Sequence, residues 1–428
     1  MDSSSETHVI SNSIRFTGRT TPALPTTDVL VDVLKDRMKQ LVVCLSYSWG
    51  GLEQVAANDA IDVASLGLDV TVLCLDGSPI HQALQSQAAL LSPSQPKVKI
   101  FPIKFRPRNY LDFKMGNLIE QQMIDGVNLI HTHQTSILGS LVPWLWKRPD
   151  VGLVASRHIM NNHSKRDLLH RAIYRRVDKL VVMSHTLRKN VMQTHALRER
   201  QVKVVSLGLD FDRFDPDKVN ADRQRQVWGA DAETIVLGLV GRIDPAKGQG
   251  TFIKAAAGLM KHMSRGEKLK FVMVGEETLG SEGGHLDELK EMVRQFGLEE
   301  NVVFAGYQEN IPEVMRAFDI FVMPSRQEAF GLVAIEAMAM ECPILISSGG
   351  SAEEIVGIPG AGEFGLTVRP DDAFDLQNQL RFLIDHPIER VQMGQRGRQH
   401  VKANYDRQIR IQRTLNLYDR VLRIRGII

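Results

Sequence analysis

Cysteine is scarce in this sequence: of 428 residues only Cys44, Cys74 and Cys342 are thiols, widely spaced and without a CxxC pair. That excludes a disulfide framework. Two of the three sit inside the apolar runs LVVCLS and VTVLCL, so buried thiols of a reducing compartment are expected. Long hydrophobic runs are also missing. No stretch approaches the ~20 apolar residues of a membrane-spanning helix, and the opening MDSSSETHVISNSIRFTGRTTPALPTT has no apolar core of signal-peptide length, so the cytoplasm is the expected location. There is little net charge: the formal value is +2, with 24% charged and 43% hydrophobic residues. This is a globular balance, and nucleic acid is not an expected partner. Without GxxxxGK[ST], GxSxG or HExxH, nothing anchors a Walker-type phosphate loop, a Ser-His-Asp hydrolase or a zinc peptidase, and no metal is expected.

What is present is alternation. At roughly 150 residues per domain the length predicts two or three domains. Residues 1–38, rich in Ser and Thr without a period, read as a flexible N-terminal tail. From 39 to 213, strand candidates LVVCLS, DVTVLCL, VKIFPI, VNLIH, VGLVAS, DKLVVMS and VKVVS are separated by helix-length segments. SLGLDFDRFDPDK at 206–218 breaks the pattern and is the linker candidate. A second series follows from 214 to 400, with TIVLGLVGR, KFVMVGE, NVVFAGY, DIFVMPS, CPILISS and FGLTV, and residues 401–428 close the chain as a C-terminal helix expected to pack back on the first domain. Apolar runs alternating with helices predict α/β architecture: two doubly wound parallel-sheet domains facing a central cleft.

The stretch from Asp319 to Val356 organises the rest. It reads as strand, loop, helix and strand, with one acid, Glu336, among the apolar residues of AIEAMAM and another, Glu328, in the preceding loop. An ionised carboxylate in such surroundings needs a partner. Either the pair holds hydroxyl or amine groups of a ligand, or Glu336 is a structural ion pair and Glu328 a solvated loop acid. In GRIDPAKG, after a strand and opening a helix, Arg242 and Lys247 outline a diphosphate site or two solvated cations. Gly50 and Gly51 open another helix, where a backbone could approach a ligand, although that loop lacks GxGxxG. His131, His133, Arg157, His158 and His163 also follow strands and can reach the cleft. The DxD at Asp210 and Asp212 lies in the linker, which argues against a metal role. Between Lys147 and Lys203 fourteen Lys or Arg face four acids. Within that segment KRDLLHRAIYRRV places Leu168, Leu169, Ala172, Ile173 and Val177 near one helical face. It is either an amphipathic helix packed on the sheet or a docking face for an anionic membrane or acceptor.

In combination, GRIDPAKG, FVMVGE, VVFAGYQENIPEVMRAFDIFVMPS, the E-x7-E segment EAFGLVAIE and GGSAEEIV resemble a retaining glycosyltransferase of the GT-B fold, in family 4 (glycosyl transferases group 1). The N-terminal half matches more loosely, through the Gly-Gly loop, HTHQTSILGSL and SLGLDFDRFDP. The resemblance implies a hexosyltransferase with a nucleotide-sugar donor as co-substrate, no metal cofactor, and a glycan or lipid-linked acceptor in cell-surface polysaccharide or lipopolysaccharide biosynthesis, with the enzyme peripheral on the inner membrane face. Arg242 and Lys247 would then hold the diphosphate, Glu336 the ribose, and Glu328 the donor sugar, with backbone N–H groups near Phe330 and Gly331 orienting it. Gly50 and Gly51 would line the phosphate and acceptor side of the cleft. His158 would lie beside the reacting sugar, with His133 as runner-up and Arg157 on the acceptor side. An epimerase, a phosphorylase or a catalytically silent binding protein on the same fold are the alternatives.

Overall fold

The computed structural model describes residues 25–90, 97–108, 110–263, 266–277, 284–357 and 364–428. Two parallel sheets form in the order of the chain. The first contains β1 (Lys39–Cys44), β2 (Asp69–Leu75), β3 (Lys99–Ile103), β4 (Leu129–Thr132), β5 (Gly152–Arg157), β6 (Lys179–Val182) and β7 (Val202–Val204). The second contains β8 (Ile235–Val240), β9 (Leu269–Val274), β10 (Val302–Gly306), β11 (Ile320–Met323), β12 (Ile344–Ser347) and β13 (Leu366–Val368). Their orders are β3-β2-β1-β4-β5-β6-β7 and β10-β9-β8-β11-β12-β13. Each is doubly wound, and each reverses direction at one point, between β1 and β4 and between β8 and β11. Such a reversal opens a crevice at the carboxyl ends of the strands. The central strands are apolar along their whole length because helices cover both faces: β4, β11 and β12 are buried at every residue.

Two differences from the sequence reading have physical causes. The helix Thr27–Leu34 lies within the expected tail. Its Leu30 and Leu34 are buried in a cluster with Val42 and Val72 of the first sheet and Leu415, Tyr418 and Val421 of the last helix. Leu30 and Leu34 stand one helical turn apart, but eight residues are too short a run for that period to stand out; residues 1–24 of the expected tail lie outside the described residues. The chain closes in three helices, Ala373–Asp385, Pro387–Asn404 and Arg407–Ile424, interrupted at His386 and at Tyr405–Asp406. The last of these crosses back onto the first sheet, and Leu209 of the linker bridges Asp406 where the chain returns. The second is the expected apolar face of KRDLLHRAIYRRV. In the helix Leu168–Arg176 the buried residues are Ile173, Tyr174 and Arg176, whereas Leu168 is 83% and Leu169 52% exposed. Arg176 is accepted inside because its guanidinium donates to the carbonyl groups of Leu145, Arg148 and Val151, at 2.6–3.0 Å.

Candidate active site

Each sheet carries part of the sequence's candidate set at the carboxyl ends of its strands. On the second sheet, the loop after β8 carries Arg242 and a 3-10 turn Pro245–Lys247, and the loop after β11 carries Glu328. Backbone contact fuses the two loops: Arg326 N donates to Ala246 O at 3.0 Å. Gly248, at φ 77°, starts the helix Gln249–Lys261, and a Cβ there would lie 2.3 Å from Pro324 O. Only glycine allows this approach. Gln249, wholly buried, donates from Nε2 to Arg242 O at 2.7 Å and fixes the loop's far end. Lys247 Nζ then sits 2.8 Å from Glu328 Oε2. Arg242 projects outward with a side chain 63% exposed, its Nη2 3.8 Å from Asp244 Oδ2.

The Glu328 loop is pinned from below. Ser351 N donates to Glu328 O at 3.1 Å, and Ser351 Oγ donates to Phe330 O at 2.7 Å. Gly350, at φ 83°, passes so close that a Cβ would fall 2.0 Å from Glu328 O. Phe330 is buried, and Gly331 begins the helix Leu332–Ala339. Glu336 on that helix is half-buried, and its carboxylate accepts no hydrogen bond among the described residues. Burial pushes its carboxyl up to about 7, against a smaller downward pull from Arg213. The expected structural ion pair for Glu336 is therefore not formed with any described residue.

On the first sheet, Gly50 N donates to Glu53 Oε2 at 2.9 Å as the helix Gly51–Ser65 begins. A Cβ on Gly51 would meet nothing within 4 Å, which leaves room for a ligand beside the backbone. The histidines form a stack. His131 and His133, two residues apart at the end of β4, have ring centroids 4.3 Å apart, and His133 lies 5.5 Å from His158. Gln40 Nε2 donates to Tyr418 Oη at 2.8 Å, which leaves the tyrosine proton for His131 Nδ1 at 2.7 Å and makes His131 Nε2 the donor to Ser156 Oγ at 2.8 Å. His133 is buried with neither ring nitrogen hydrogen-bonded, and its Nε2 is 3.8 Å from Asp59 Oδ2. Burial lowers all three imidazoles, His131 and His158 to about 3. They are neutral at physiological pH. His158 is the half-buried end of the stack. Arg157 donates to Ile159 O, Thr135 Oγ1 and Met160 O at 2.8–3.4 Å, so its guanidinium shapes the loop that carries His158.

Sequence reasoning missed a small pocket of about 160 Å³ lined by Tyr110, Thr135, Lys165, His170 and Tyr174. Its surroundings are electropositive: adjacent His195 is lowered to about 4, by burial first and then by Arg157, Lys165 and His170. The excess of basic residues between 147 and 203 signalled the charge but not the concavity. A broader open groove of about 760 Å³ lies along β7, among Arg188, Arg198, Arg200 and Lys203, and holds none of the candidate residues. Among the described residues no cluster of three His, Cys, Asp or Glu could hold a metal ion, and no helix is long and apolar enough to cross a membrane. All three thiols are buried and unpaired.

Two doubly wound sheets meeting at their carboxyl ends define the GT-B architecture. The fold is shared with a Rickettsia africae glycosyltransferase (18% identity, TM-score 0.76, covering 90% of this chain and 99% of that one). It is shared also with Anabaena HepE solved with UDP-glucose (21%, TM-score 0.73, 90% and 99%). Residues 49–213 match Glycosyltransferase Family 4 and residues 220–400 match Glycosyl transferases group 1, and the chain belongs to this family of enzymes. Among its relatives is the D-inositol 3-phosphate glycosyltransferase of Corynebacterium kroppenstedtii, 26% identical over 378 residues that span 82% of this chain and 81% of the relative.

Proposed function

We propose that the enzyme moves a hexose-type sugar, with retention of configuration, from a nucleoside-diphosphate sugar to an acceptor carrying an anionic group. The observation that carries this reading is the Lys247–Glu328 contact at the reversal point, beside the unpartnered carboxylate of Glu336. A diphosphate arriving at Arg242 and Lys247 competes with Glu328 for the ammonium and releases that acid to accept hydroxyls of the donor sugar, while the ribose hydroxyls donate to Glu336. When the bond between the sugar's anomeric carbon and the phosphate oxygen breaks, negative charge grows on the leaving diphosphate, and the two cations stabilise it. The acceptor hydroxyl attacks the same face, and its proton passes to the departing phosphate oxygen. Neutral His158 contributes a hydrogen bond to the reacting sugar, not a charge, with His133 behind it. The two cations supply the charge that a divalent ion would otherwise bring, so the reaction is metal-independent.

The electropositive pocket of Lys165, His170 and Tyr110 supports an anionic acceptor, and a phosphorylated acceptor appears in the name of the inositol-phosphate relative. The helix bordering this pocket exposes Leu168 and Leu169 between Arg166, Arg171 and Arg175, which suits a lipid-linked acceptor presented at an anionic membrane, as in cell-surface polysaccharide or lipopolysaccharide assembly. The decisive experiment measures nucleoside diphosphate released from UDP-, GDP- and ADP-sugars, with and without phosphorylated polyols and lipid-linked acceptors. Acceptor-dependent release that survives EDTA, with the anomeric configuration kept, is expected. Product epimerised on the nucleotide, phosphate-dependent cleavage, or no turnover with any donor would replace this reading with the epimerase, phosphorylase or silent-protein alternative.

A further inference from the structure

The helix His185–Thr194 belongs to the first half of the molecule, but its N-terminus is completed by the second. Of the four backbone N–H groups at a helix start that lack partners within it, three follow the N-cap residue. Ser184 Oγ accepts from Leu187 N at 3.0 Å, as an ordinary cap. The other two are taken by one carboxylate from the opposite half: Glu354 Oε2 accepts from His185 N at 2.7 Å and Oε1 from Thr186 N at 2.6 Å. A carboxylate at a helix N-terminus also complements the helix dipole. The same helix start grips the loop of the donor-side acid. Ser184 Oγ donates to Ala329 O at 2.7 Å, and Thr186 Oγ1 donates to Gly350 O at 3.2 Å, where Gly350 is the residue bridged to Glu328. Tyr405, at the chain's return to the first half, donates from Oη to Glu354 O at 3.2 Å and meets Phe330 edge-on, ring centroids 5.9 Å apart. Each of these contacts ends on the segments 328–331 or 350–354.

We infer that Glu354 and Ser184 are positioning residues for transfer: they form a clamp between the two halves that holds the Glu328–Gly331 loop in its working geometry when the cleft is closed. The inference rests on the proposed contact of Glu328 with the donor sugar. If the clamp opens, Glu354 and the helix N–H groups exchange each other for water, and the loop loses the hydroxyl that anchors Ala329. Nucleotide binding, which uses Arg242, Lys247 and Glu336, does not require the clamp; alignment of the sugar does.

The test uses the full chain with the donor and acceptor that the wild type turns over, and the variants Glu354→Ala, Glu354→Gln and Ser184→Ala. Glu354→Ala and Ser184→Ala are expected to lower kcat roughly 10–100-fold, while the Kd for nucleoside diphosphate stays within about twofold. A larger share of donor should be lost to water, and Glu354→Gln, which keeps one acceptor oxygen, should recover part of the rate. A kcat within about twofold of wild type in both alanine variants overturns the clamp, as does a fall in nucleotide affinity that tracks a fall in thermal stability. If Glu354→Ala does not fold, Ser184→Ala, which removes a single hydroxyl, decides the matter. If the wild type turns over no donor, the transferase reading has failed separately. The clamp is then decided by small-angle scattering of nucleotide-bound protein, where an unchanged radius of gyration in the variants overturns it.

Discussion

Glu336 and Glu328 lie eight residues apart and receive opposite treatment from their surroundings. Glu328 has a cation at 2.8 Å; Glu336 has burial and a distant arginine. Because the folded chain holds the Glu336 proton up to about 7 while the ordinary value is 4.5, its contribution to stability is complete below about 4.5 and is lost as pH rises through about 7. Nucleotide binding runs the other way. Ribose hydroxyls donate best to the ionised acid, so nucleotide affinity should rise between about pH 6 and about pH 8, with proton release on binding. Glu336→Gln should flatten that profile and weaken nucleotide binding by about 1.5–3 kcal/mol, the range for a hydrogen bond to a charged group. Glu328→Gln, which removes the competitor for Lys247, should keep or modestly raise nucleotide affinity and slow transfer roughly 10–100-fold. Calorimetry at both pH values with single-turnover kinetics separates the two, and equal losses of nucleotide affinity in both variants would contradict the assignment.

At the scale of elements, the last helix, Arg407–Ile424, does more than cover apolar surface. Arg407 pairs with Asp62, and Arg410 takes both oxygens of Asp59, Nη2 lying 2.5 and 2.7 Å from them. Tyr418 terminates the histidine stack. Both Asp59 and Arg410 are nearly enclosed, and burial raises the Asp59 carboxyl while Arg410 opposes the rise. Removing one partner of such a pair leaves an uncompensated buried charge. Arg410→Ala should therefore cost about 3–5 kcal/mol in urea unfolding at neutral pH, and less in acid, where Asp59 takes up a proton. A loss below about 1 kcal/mol would show the pair to be dispensable. This helix thus fixes the helix Gly51–Ser65, and with it the Gly50–Gly51 loop, from the far end of the chain.

The whole molecule presents two faces of different character. Inside the cleft lie the cations and acids of the proposed donor site; outside, the helix Leu168–Arg176 shows Leu168, Leu169, Arg171 and Arg175 to solvent. If that outer face meets a membrane, the intact protein should float with vesicles containing phosphatidylglycerol at low salt and not with neutral vesicles. Each nearby arginine contributes about 1 kcal/mol, and Leu168→Ser with Leu169→Ser should weaken binding without changing turnover of a soluble acceptor. Failure to float with anionic vesicles would remove the membrane from the proposal.

Strand positions, helix lengths and the loops that bear Gly50, Arg242, Lys247 and Glu328 were legible in the sequence, because alternation and turn residues act over a few neighbours. Glu336 was legible as a misfit, since a lone acid in an apolar helix violates the local pattern. The buried face of Leu168–Arg176 was not: periodicity places Leu168 and Leu169 on one side but cannot say that the folded chain leaves them exposed. The tail helix Thr27–Leu34, the Asp59–Arg410 pair and the Glu354 cap on a helix 169 residues away were equally hidden. By itself the sequence determined two wound sheets and which loops carry chemistry. Only the tertiary structure decided which loops face each other and which distant side chains complete them, because those contacts depend on strand order and on the chain's return across both halves, neither of which leaves a local period.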